Sequence, residues 1–151
     1  MTKSIIVSAL LAIALSVTIP VYNQCDDQWA KQLIGTSSNE TICSSGSLIT
    51  SIAMGLKAIG KDYDPATLNN WLKNNRGYIG TTLFVWASIN PLGLVFQGYV
   101  GVSQIRASFD KGRIVLVEVK STGDWTIMTG HDNYTVNVND PKKGATSYNL
   151  T

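Results

Sequence analysis

Thr41-Ile42-Cys43-Ser44-Ser45-Gly46-Ser47-Leu48-Ile49-Thr50-Ser51-Ile52-Ala53-Met54 is the stretch on which the reading of this 151-residue chain turns. From Ser47 onward, Leu48, Ile52, Leu56 and Ile59 recur at spacings of three and four. That spacing lays one apolar stripe along a helix, so a helix is expected from Ser47 to about Ile59 with one face buried. Gly60 stops it. The polar segment before it, residues 35–46, is rich in Gly, Ser, Thr and Asn and reads as a loop.

Downstream, Asp64-Pro65 opens a second helix, since Asp caps and Pro suits the first turn. Leu68, Trp71 and Leu72 form its stripe, and Asn74-Asn75-Arg76-Gly77 ends it. Residues 81–89 read as a third helix, stopped before Pro91. The second half changes character. Residues 94–100 read as a strand and 102–109 as a short helix. Ile114 to Val119 is apolar on both faces, as in a central strand. Residues 125–129 and 134–138 read as two more strands joined by a turn at His131-Asp132-Asn133. Helices followed by an antiparallel sheet make an α+β domain. The length suits one domain with its own core.

Hydrophobic content of 44% and charged content of 15% are globular values, and a net charge of +2 gives no reason to expect a nucleic-acid partner. Lys3 precedes an apolar run of about 13 residues, Ile5 to Val17, where a spanning helix needs roughly 20. A basic start, an apolar middle and the small residues Ala14 and Ser16 read as a secretory leader over residues 1–16. A buried helix or a membrane anchor is the alternative. No stable membrane span is expected in the mature chain. Cys25 and Cys43 are an even pair, which in a secreted chain suggests a disulfide. Two cysteines and one histidine make a poor zinc set, so neither metal nor cofactor is expected. Asn39, Asn133 and Asn149 each begin an N-x-S/T sequon.

Four patterns in order carry a further reading: Val21-Tyr22-Asn23-Gln24-Cys25-Asp26-Asp27-Gln28-Trp29, the opening stretch, Gly123-Asp124-Trp125-Thr126-Ile127-Met128-Thr129-Gly130, and Val138-Asn139-Asp140-Pro141. Over residues 20–141 the chain resembles the bacteriocin-processing family thirty-nine branch of the papain-like cysteine peptidases. The resemblance implies a papain-like fold. It matches Gln24 to the family's oxyanion-hole Gln, Ser47 to the nucleophilic Cys, Asp124 to the base His, and Asp140 to the Asp that orients that His. In this fold Gln24 approaches Ser47, which brings Cys25 near Cys43.

A thiol peptidase sets Cys at a helix N-terminus, where the dipole favours thiolate, and needs a His to move the proton. Here a serine and a carboxylate occupy those positions, and serine is a poor nucleophile without a base. His131 lies seven residues beyond Asp124, about 23 Å along an extended strand, and reads as a surface residue of the turn. Each position also has a plain structural reading. Ser47 caps its helix, Asp140 shapes a turn before Pro141, Gln24 is a structural hydrogen-bonder, and Asp124 merely starts a strand. The four tryptophans, Trp29, Trp71, Trp86 and Trp125, read as core. The resemblance with these departures implies a secreted pseudopeptidase that binds a protein or peptide ligand. The alternatives are a structural subunit of an extracellular assembly, and an unorthodox hydrolase using Ser47 with Asp124 or Asp140.

Overall fold

The computed structural model describes residues 18–150; the leader expected over residues 1–16 and Thr151 of the third sequon lie outside the described residues. The expected loop before the long helix holds a single helical turn, α1 (Ile42–Ser45). Thr41 caps it, with Ser44 returning a bond to the Thr41 N–H. Gly46 separates α1 from α2 (Ser47–Ala58), the helix read from the opening stretch. Gly60, at φ +82°, turns the chain after it, a conformation glycine adopts without strain. In α3 (Pro65–Asn74), the Asp64 carboxylate accepts from Thr67 N–H at 2.7 Å and Pro65 fills the first turn.

The third helix expected over residues 81–89 does not form there. A two-stranded hairpin, β1 (Tyr78–Ile79) and β2 (Leu83–Phe84), occupies its start, and a 3-10 helix, Trp86–Leu92, runs through Pro91. Thr81, Thr82, Phe84 and Val85 are weak helix formers. The Thr81 carbonyl is also drawn off to the Thr36 N–H, at 3.0 Å. Residues 94–100 are not a strand either, because among the described residues no partner strand pairs with them. Side chains hold them instead: Phe96 stacks on Trp86, with ring centroids 4.7 Å apart.

α4 (Val102–Asp110) follows, then an antiparallel sheet in the order β3 (Leu116–Val119), β4 (Asp124–His131), β5 (Thr135–Asn139) and β6 (Ser147–Asn149). β3 is therefore an edge strand and not the central strand expected. Its two apolar faces have another cause. Val115 and Val117 pack with Ile105 and Phe109 of α4, while Leu116 packs on the α2 side. Two covered faces make a strand apolar on both sides whatever its place in the sheet, with the exposed Glu118 the one exception in β3. β6 is short and polar, and its pattern gives no strand signal.

The sheet thus lies between two apolar clusters. Ile49, Ile52 and Leu56 of α2 join Leu68 and Leu72 of α3 and Ile89 of the 3-10 helix on one side. Ile105 joins Met128, Val136 and Val138 on the other. Gly55 lets α2 close on the sheet: a methyl there would stand 3.1 Å from Ile114 Cγ2 and 3.4 Å from Ile127 Cδ1. Of the tryptophans read as core, Trp29 is buried; Trp71, Trp86 and Trp125 are half-buried. Among the described residues, no helix is long and apolar enough to cross a membrane.

Candidate functional site

β4 begins at Asp124, opposite Val119 of β3. The Met128 N–H donates to Val115 C=O at 2.9 Å. Alternation along the antiparallel ladder then turns the N–H and C=O of Trp125 away from β3. On that side β5 reaches only to Asn139, opposite Ile127, so Trp125 has no strand partner there. α2 supplies one. Ser47 Oγ accepts from the Trp125 N–H at 3.1 Å, and Ser51 Oγ donates to the Trp125 C=O at 3.0 Å. Residues four apart share a helix face, so two hydroxyls of α2 bracket one peptide unit of β4.

Ser47 is not a helix cap, contrary to its plain reading. Gly46 holds the cap position, and Ser47 is the first helical residue. Among the described residues, no hydrogen bond joins its hydroxyl to Asp124, Asp140 or His131. Removing either serine hydroxyl leaves a backbone group of Trp125 without its partner. Ser47→Ala and Ser51→Ala are each expected to lower stability by about 1–3 kcal/mol, read as a lower urea midpoint at unchanged slope.

Asp124 is 8% exposed. Its Oδ1 accepts from Lys142 Nζ at 2.8 Å, while Oδ2 is buried with no partner among the described residues. Burial pushes the carboxyl up, but the Lys142 ammonium and the Thr122 hydroxyl together outweigh it, leaving the group below its ordinary value. A carboxyl lowered on folding stabilises the fold above its unfolded value near 3.8 and loses that contribution as pH falls through the folded value. Asp124→Asn should therefore be less stable than the parent at neutral pH, with the gap closing below about pH 4. Urea unfolding across the acid range checks this.

Asp140 is buried and fully engaged. Its Oδ1 accepts from the N–H groups of Lys142 and Lys143 at 2.8 and 2.9 Å, and its Oδ2 accepts from the Tyr148 hydroxyl. Burial first, and this bond second, push the Tyr148 phenol up to about 12. Gln24 is fully buried. Its N–H donates to Pro141 C=O at 2.9 Å and its Nε2 to Cys43 C=O at 2.6 Å; Oε1 has no partner among the described residues. Cys25 and Cys43 form a disulfide. Gln24, the bridge, the start of α2, the start of β4 and the Asp140 turn are thus linked by one chain of bonds.

His131 is at the far end of β4 from Asp124, within the strand and not in the turn as expected; its Nε2 lies 2.7 Å from Asp110 Oδ1 of α4. Asn39, Asn133 and Asn149 are all exposed. Sequence reasoning missed Ser51, Lys142 and Tyr148. A lone serine, lysine or tyrosine carries no signal; only the fold shows which carboxylate or carbonyl it meets.

A cleft of about 460 Å³ opens beside Ser47, between the β2 side and the residues Gly123 and Trp125; of Gln24, Ser47, Asp124 and Asp140, Ser47 alone lines it among the described residues. A larger hollow of about 860 Å³ follows β3 and residues 94–102, and none of Gln24, Ser47, Asp124 or Asp140 lines it. Among the described residues, no group of three or more His, Cys, Asp or Glu side chains could hold a metal ion. No known protein family, curated protein or solved structure matches the chain.

Proposed function

We propose that this chain is a secreted, catalytically silent relative of the papain-like cysteine peptidases that binds a protein or peptide segment in the cleft beside Ser47. The observation that carries the reading is the bonding of residues 47 and 124. The hydroxyl at the start of α2 accepts from the Trp125 N–H and, among the described residues, bonds to no basic group, and the neighbouring carboxylate is paired with Lys142. A nucleophile needs a base within hydrogen-bond reach and a free lone pair aimed at its target. Asp124, paired with an ammonium and held below its ordinary value, is a poorer base than a free carboxylate.

Three further features support the reading. Ser47 at the helix start lines the cleft, and the buried Gln24 is tied to the Asp140 turn, outside that lining, by its N–H bond to Pro141 C=O. The disulfide fits an oxidising compartment. Three exposed sequon asparagines suit glycosylation during export. The test is hydrolysis of a fluorogenic peptide library by the purified domain beside Ser47→Ala. Equal rates at background are expected. Turnover by the parent that Ser47→Ala abolishes would overturn the silent-enzyme reading in favour of a serine hydrolase.

A further inference from the structure

The lining of the Ser47 cleft is unusual in its charge. It contains five aromatic residues, Tyr78, Phe84, Trp86, Tyr99 and Trp125, and one charged side chain, Glu40. Among the described residues, no lysine or arginine lines it. Asp124, between the lining residues Gly123 and Trp125, is paired with Lys142. One Glu40 oxygen accepts from Ser45 Oγ at 3.3 Å, and the other has no hydrogen bond among the described residues.

Tyr99 stands 73% exposed. An exposed tyrosine on an irregular segment would ordinarily turn freely. Here Trp86 Nε1 donates to its hydroxyl at 3.1 Å, and its ring meets those of Trp86 and Phe96 edge-on. Trp86 in turn meets Trp125 edge-on at 5.9 Å. The rings are therefore braced against one another at the cleft. Fixed aromatic faces attract cations through their quadrupole, and a carboxylate in the same cleft adds a charge-assisted hydrogen bond.

We propose that the cleft selects a basic side chain, arginine or lysine, carried on an extended peptide. Glu40 takes the charged head, and the braced Trp86 and Tyr99 take its stem and its cationic face. This rests on the reading of the cleft as a peptide-binding site and specifies what that site prefers.

A random dodecapeptide library displayed on phage, selected on the intact domain, tests it. Selected sequences should be enriched in arginine or lysine, and the corresponding synthetic peptides should bind less tightly as salt rises. Glu40→Gln should weaken them about tenfold and flatten the salt dependence, and Tyr99→Ala should weaken them several-fold. Both side chains sit at the surface and outside the two apolar clusters, so thermal unfolding of the variants should match the parent. Peptides that bind and compete for the cleft without a basic residue, or that ignore Glu40→Gln, would overturn the charge preference and leave the peptide cleft standing. Failure to select any peptide, or binding of neutral oligosaccharides alone on a glycan array, would overturn both.

Discussion

Leu56→Ala is expected to lose about 3 kcal/mol of stability, the mid-range for emptying a fully buried leucine site. Leu56 lies on α2 at 0% exposure, in the cluster that also holds Ile52, Leu68 and Leu72. It lines neither of the two hollows, so the loss includes a closed cavity as well as transfer of the side chain from water. For a domain of this size the melting temperature should fall by roughly 10 °C. Because α2 carries both hydroxyls that hold Trp125, the near-ultraviolet circular dichroism should report the change alongside the denaturation curve. A loss below about 1 kcal/mol would mean that α2 is not packed as described.

Breaking the Cys25–Cys43 bridge is the second change of that size. The two residues are 18 apart, and closing such a loop is worth about 3 kcal/mol in the chain-entropy account. The bridge also serves a local purpose. It fixes the segment beside Gln24, whose amide reaches the Cys43 carbonyl while its own N–H reaches Pro141. The double variant Cys25→Ser with Cys43→Ser should therefore unfold at lower urea and exchange its Gln24 amide hydrogen faster. Parent protein treated with reductant should behave the same way. An unchanged midpoint in both would remove the bridge from the account of stability.

How far these features could be read from the chain depends on the kind of signal each leaves. α2 and α3 announce themselves by a stripe of apolar residues and by Asp64-Pro65, and both form as expected. Residues 81–89 read as one helix stopped before Pro91, whereas β2 and the first part of the 3-10 helix occupy them. Periodicity cannot tell a short 3-10 segment from an α-helix. Residues 94–100 have strand-like composition, but a strand needs a neighbour, and only the tertiary fold decides whether one is present. β3 misled in another way: apolarity on both faces records what covers the sheet, not where a strand lies in it. At the site, Gln24, Ser47, Asp124 and Asp140 stood out in the chain. Their partners did not, because a lysine near Asp140-Pro141 or a serine one turn beyond Ser47 is unremarkable until the coordinates bring it to a buried acceptor.

The hydroxyl bracket on Trp125 bears on anyone wishing to install chemistry here. Cysteine at residue 47 would swap an oxygen acceptor for sulfur, a weaker one, at a peptide unit that no neighbouring strand can rescue. A histidine at residue 124 would displace a carboxylate and strand the ammonium of Lys142. Placing a thiol and an imidazole at these two positions would thus disturb the Trp125 peptide unit and Lys142 together, so the exchange calls for changes in the residues around them as well.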